Sequence, residues 1–128
     1  MLEHFVKNYE NVKNKRFIFI LKEEDVKRYH LDDAINVLTN NQSKIIILKN
    51  ETQGMVCSVL MAIDEINLND SLLIVNMDQI FEYDLNEVIS ELSLNDAGVL
   101  SFESVHPRWA YVKCDENHFV LEAFEKNL

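Results

Sequence analysis

Apolar and polar positions alternate along this chain in two rhythms, and the change between them marks its elements. Leu2, Phe5, Val6 and Tyr9 recur at helical spacing, so the chain is predicted to open with an amphipathic helix. Arg16 to Leu21 (RFIFIL) is β-branched and aromatic, the pattern of a buried strand. Val26, Leu31, Ala34, Ile35 and Leu38 predict one helix or two short ones between Glu23 and Thr39. Lys44 to Leu48 (KIIIL) is a continuous apolar strand of the kind found with both faces covered. A polar loop from Lys49 to Gln53 leads through Gly54 into a predicted long helix, Met55 to Ile66. Ser71 to Val75 (SLLIV) is predicted as a third buried strand. Asp84 with Glu87 forms a capping-box pattern ahead of a helix faced by Leu85, Val88, Ile89 and Leu92. After Asn95 three strand-like runs follow without a helix: Gly98 to Phe102, Ala110 to Lys113 and Phe119 to Phe124. The last two are joined by a hairpin-like turn at Asp115-Glu116-Asn117.

Strands that alternate with helices need crossover connections, which make a mostly parallel sheet. The expected fold is a single α/β domain over residues 1–128, doubly wound and Rossmann-like, with antiparallel strands at the C-terminal end. At 128 residues the chain can bury roughly two thirds of its unfolded surface. A net charge of −10 repels phosphate backbones and anionic lipid, which disfavours nucleic-acid and membrane-surface roles. No apolar run approaches the ~20 residues that span a bilayer, and no signal-peptide pattern opens the sequence. Cys57 and Cys114 lack CxxC spacing and read as reduced thiols, so a cytoplasmic protein is expected. With two Gly and one Pro, the chain holds no glycine-rich phosphate loop.

Candidate chemistry belongs at the carboxyl ends of the strands, where open α/β sheets bind ligands. Glu51-Thr52-Gln53-Gly54 follows one such strand and opens a helix. Gly54 would let a flat group approach the backbone, and Gln53 can donate and accept hydrogen bonds to one. The plainer account is an ordinary turn whose Gly relieves a left-handed backbone angle. Asp78 ends the third strand as a hard oxygen suited to Mg²⁺, or as a solvated turn residue. Glu125-Lys126 closes the last strand, able to hold sugar hydroxyls and a phosphate, or simply solvated. The four His residues lack zinc spacing, and no serine sits in a GxSxG elbow. Trp109 beside Arg108 could stack on a ligand or cap a core edge. Met55, Met61 and the aromatic residues are expected in the core.

Taken in order, these pieces resemble the sugar-phosphate nucleotidyltransferases, which make nucleotide-activated sugars from a nucleoside triphosphate and a sugar 1-phosphate, releasing pyrophosphate. Met1-Leu2-Glu3-His4-Phe5-Val6 resembles the family's M-I-E-H-V-I helix, and Gln53-Gly54 its nucleobase-reading loop. Leu73-Ile74-Val75-Asn76-Met77-Asp78 resembles the strand that ends in the metal-binding Asp. Arg108-Trp109-Ala110-Tyr111-Val112 resembles the R-Y-G-V-V strand of the sugar pocket, and Phe119 to Lys126 the strand ending in E-K-P. Met77 and Ala110 stand where the family has Gly, and Asn127 where it has Pro.

The resemblance implies nucleotide binding by Gln53 and Gly54, Mg²⁺ at Asp78, and sugar-phosphate binding by Ala110, Glu125 and Lys126. It implies a nucleoside triphosphate and a sugar 1-phosphate as ligands, in nucleotide-sugar supply for polysaccharide. The family's G-x-G-x-R signature and its second metal-binding Asp have no counterpart here, so the chain is expected to match the middle of such a domain and to be inactive alone. The absent central strand would leave two apolar edges open, so homo-oligomers through those edges, or closure of the gap, are expected. A module that completes its sheet with a partner chain is the alternative.

Overall fold

A computed structural model describes residues 1–125. The chain divides into two compact units, Met1–Ala97 and a second from Gly98 onward, each described by itself. Together they form a mixed α/β chain with one parallel and one antiparallel two-stranded sheet.

In the first unit, helix α1 spans Leu2–Asn8. Strand β1 (Ile18–Lys22) then runs straight into α2 (Glu23–Tyr29) and α3 (Leu31–Leu38). The two helices are separate because His30 takes a left-handed backbone, φ 50° and ψ 45°, and so ends one and begins the other. Strand β2 (Lys44–Leu48) returns beside β1 in parallel, with Phe19 opposite Ile45 and Leu21 opposite Ile47. This is the crossover unit that the strand–helix–strand order demands.

The core explains why these segments fold together. Phe5, Tyr9, Phe19, Leu21, Val26, Ile35 and Leu85 are buried in one cluster, drawn from α1, the loop after it, β1, α2, α3 and the later helix α5 (Leu85–Leu92). Phe19 and Leu21 point to the same side of β1, as a period of two requires. Phe5 meets Tyr9 at 4.9 Å between ring centroids and Phe19 at 6.3 Å, edge to face in the second case. Asn8 ties the end of α1 to a distant loop: its amide donates to the Phe81 carbonyl (2.7 Å) and accepts from the Phe81 N–H (2.9 Å).

Three expectations need correction here. The apolar stretch after Gly54 is not one helix. Helix α4 covers Met55–Leu60, and a 3₁₀ turn follows at Ile63–Glu65. Past Ser58 the backbone bonds shorten to a three-residue step, from the Met61 N–H to the Ser58 carbonyl and from the Ala62 N–H to the Val59 carbonyl. Ala62 is buried in this tightened stretch, while Met55 and Met61 are exposed, so these methionines are not core. The second correction concerns Ser71–Val75. It forms no regular secondary structure, and Leu72, Leu73 and Ile74 are exposed. Strand status needs a ladder partner, and among the described residues none hydrogen-bonds to its backbone. Val75 and Met77 nevertheless pack against the core. Third, Asp84 caps α5 by accepting from the Asn86 N–H at 2.9 Å, rather than through a reciprocal box with Glu87.

The second unit is built on the hairpin of β3 (Tyr111–Cys114) and β4 (Val120–Phe124), antiparallel with Tyr111 opposite Phe124. Asp115 shapes its turn by accepting from the N–H groups of Asn117 and Phe119, both at 2.9 Å. The register slips by a bulge at Lys113/Cys114. Gly98 to Phe102 forms no strand, and its apolar residues are exposed. Trp109 carries the Arg108 guanidinium 4.5 Å above its ring and Phe102 edge-on at 5.3 Å.

Candidate functional site

The carboxyl ends of β1 and β2 lie side by side because the strands are parallel and in register. A shallow cleft of about 340 Å³ opens there, walled by Lys22, Glu23, Glu24, Lys27, Lys49 and Glu51. Lys22 ends β1, and Lys49 and Glu51 follow β2. The Lys22 ammonium donates to Glu51 Oε1 at 2.6 Å. That hydrogen bond, and then the opposite charge, raise the Lys22 pKa and lower that of Glu51. Lys27 pairs with Glu23 at 3.0 Å.

The turn from Glu51 to Gly54 leaves this cleft and enters α4. Thr52 Oγ1 lies 2.6 Å from Ser58 Oγ, and both hydroxyls approach the Gly54 carbonyl, at 3.2 and 3.3 Å. Gly54 precedes α4 with φ 166° and ψ 176°, an extended backbone open to any residue. A left-handed angle is therefore not what this glycine serves. A Cβ placed on it would meet nothing within 4 Å, so internal packing does not call for glycine either. Gln53 is exposed and makes no hydrogen bond to the described residues.

Asp78 occupies an exposed turn after the irregular segment 71–76, closed by the Gln79 N–H on the Asn76 carbonyl at 3.2 Å. It does not line the cleft at the strand ends. Among the described residues no three His, Cys, Asp or Glu side chains gather to hold a metal ion. Asp78 thus fits Mg²⁺ only as a single carboxylate whose other ligands come from substrate phosphates and water. Ala110 and Glu125 flank the hairpin of the second unit, just before β3 and just after β4, both exposed. Lys126 lies outside the described residues.

A second cleft, of about 570 Å³, lies between the end of α1 and the start of α5. Its asparagines hold backbone: Asn8 clamps Phe81, and Asn86 donates to the Asn11 carbonyl at 3.0 Å. Sequence reasoning found the turn at Gln53–Gly54 but missed Lys22, Lys27 and Lys49. Lys22 and Lys49 were within reach of the same rule, since each stands at the carboxyl end of a strand of the parallel pair. β2 is only partly covered, with Ile47 exposed, and not buried on both faces as its apolar run suggested. Lys27 enters only through the docking of α2.

At the level of class, this is a mixed α/β chain whose parallel crossover unit carries a polar cleft and a glycine turn at its carboxyl end. Compared with models of known families, with curated proteins and with solved structures, the chain matches none. Among the described residues no helix is long and apolar enough to cross a membrane.

Proposed function

We propose that this chain is a nucleotidyltransferase-like domain of the sugar-phosphate type, with the doubly wound architecture of that class. In this reading the Gln53–Gly54 turn reads a nucleobase, Asp78 contributes one carboxylate to Mg²⁺, and Ala110, Glu125 and Lys126 serve the sugar phosphate. The reaction of the class joins a sugar-phosphate oxygen to the α-phosphorus of a nucleoside triphosphate while the bond to pyrophosphate breaks. Bound Mg²⁺ would offset the charge that gathers on the phosphates. The residues of this chain supply binding and orientation only, for it has two glycines and no glycine-rich phosphate cradle. One preorganised donor at such a centre is worth roughly 3–4 kcal/mol. A chain without that cradle binds nucleotide weakly and does not turn over by itself.

The observation that carries this reading is Gly54. It sits where an α/β sheet binds ligands, it is exposed, and neither its backbone angle nor its neighbours require a glycine. What remains is the room it leaves above the backbone beside a free glutamine amide. Gly54→Ala should leave thermal stability unchanged, within the roughly ±0.5 kcal/mol of ordinary surface changes. It should also weaken binding of a nucleoside triphosphate with Mg²⁺. Equal nucleotide affinity in both proteins would overturn the assignment. Pyrophosphate release from a nucleoside triphosphate and a hexose 1-phosphate, abolished by Asp78→Ala, would show instead that the chain is active as it stands.

A second reading, an assembly module that completes its sheet with another chain, draws on different residues. Among the described residues β1 is paired on one edge only, Ser71–Val75 is apolar and without a ladder, and all five residues of β4 are exposed. Sizing with and without nucleotide separates the two. Stabilisation by nucleotide favours the first, and oligomers indifferent to nucleotide favour the second.

A further inference from the structure

We propose that Ser71–Val75 docks a basic partner protein, through a strand of apolar residues flanked by Lys or Arg that pairs with the backbone of this segment. The partner differs in sequence from this chain, so the inference stands apart from self-assembly and from nucleotide binding. The segment runs between two turns. One closes from the Asp70 N–H to the Asn67 carbonyl at 3.0 Å, the other from the Gln79 N–H to the Asn76 carbonyl. Val75 packs against the core, while Leu72, Leu73 and Ile74 are 52%, 45% and 44% exposed. None of the backbone N–H or C=O groups of residues 71–75 is bonded to a described residue, and the segment lines neither cleft. An apolar stretch with free backbone donors and acceptors and no cavity offers what an added strand uses: ladder bonds for affinity, alternate side chains for specificity.

Charge complementarity selects the occupant. From Asn50 to Ala97, where the first unit ends, the sequence holds ten Asp and Glu and no Lys or Arg. Two of the ten are neutralised by cations from earlier in the chain, Glu51 by Lys22 and Glu65 by Lys44. Among the described residues the others have no ion-pair partner, and they include exposed Asp70 and Asp78 at either end of the segment. A second copy would bring the same carboxylates and a net charge of −10 against its like. A strand with cations on both flanks meets Asp70 and Asp78 while its apolar middle covers Leu72 to Ile74.

The test uses the whole chain and two dye-labelled peptides, each a run of alternating Val and Thr, one with two Lys at each end and the other with two Glu. Fluorescence anisotropy should show the Lys-flanked peptide bound and the Glu-flanked one held about tenfold more weakly, as a few exposed ion pairs allow. Asp70→Asn should weaken the Lys-flanked peptide by up to about fivefold, the worth of one such pair. Leu73→Lys, which removes an apolar contact and repels the flanks, should weaken it more. Affinity should fall as salt shortens the reach of charge from about 10 Å at 0.1 M to 3 Å at 1 M. In the complex, hydrogen exchange should slow at alternate amides of Leu72, Leu73 and Ile74, because alternate residues face one neighbour in a ladder. Equal affinity for the two peptides, or amides left unprotected in the complex, would overturn the proposal. So would a chain that binds neither peptide but gains mass with salt unless Leu73 is replaced by lysine, for the occupant would then be a second copy.

Discussion

With so few glycines, the chain hands its left-handed positions to other residues. Asn14, His30, Asn40, Asn41 and His118 all have φ between 50° and 65°. Asparagine tolerates this region because its short polar side chain bonds locally, and histidine is enriched there too. Gly54, freed from such duty, is left exposed beside Gln53. Tyr9 shows the opposite economy. It is 3% exposed, its hydroxyl finds no partner among the described residues, and burial raises its pKa. The Lys22–Glu51 pair is the titrating feature of the candidate site, faced by Glu24 and Asp25 of α2, whose charges also raise the Lys22 pKa. Glu51 is depressed, so the pair holds above the ordinary carboxylate range and is lost as pH falls through the depressed value. Lys22 is raised, so the pair holds below the ordinary lysine range and is lost as pH climbs through the raised value. A carbon-13 titration of the Glu51 carboxyl should therefore give a midpoint below that of an ordinary glutamate. Lys22→Met should bring the midpoint back up, and an unmoved midpoint would deny the pair in solution.

At the scale of elements, tertiary burial decides which apolar segments become ordered secondary structure. Ile35 on α3 is fully buried in the cluster it shares with residues of α1, β1 and α2. Ile35→Ala should cost about 2–5 kcal/mol, read as a shifted denaturation midpoint with an unchanged slope. A cost under ~1 kcal/mol would mean that the core is not packed as described. The strands RFIFIL and KIIIL were legible because each is apolar and finds a neighbour in the crossover unit. SLLIV reads the same way, yet it has no ladder, since a strand is a relation between two segments and composition reports only one. The split of the Met55–Ile66 run was equally hidden: the apolar pattern continues while the hydrogen-bond step shortens.

For the whole molecule, charge and exposed apolar surface pull in opposite directions. A net charge of −10 keeps copies apart, while Leu72, Leu73, Ile74 and the β4 residues offer apolar contacts. Salt shortens the reach of the repulsion, to about 10 Å at 0.1 M and 3 Å at 1 M. If open edges recruit a second copy, the sedimenting mass should rise with salt, and Leu73→Lys should suppress the rise. A mass that stays monomeric from low to high salt would remove the assembly reading.

The sequence by itself determined the helices and strands of the parallel crossover unit, the C-terminal hairpin and the polar turn at Gln53–Gly54. Those follow from local period, side-chain shape and turn chemistry. Only the tertiary structure decided that Lys22 meets Glu51, that Ser58 holds Thr52, that Gly54 is extended, and that Ser71–Val75 has no ladder among the described residues. Each of these depends on which distant backbone lies alongside, and a hydrogen bond needs both of its partners in place.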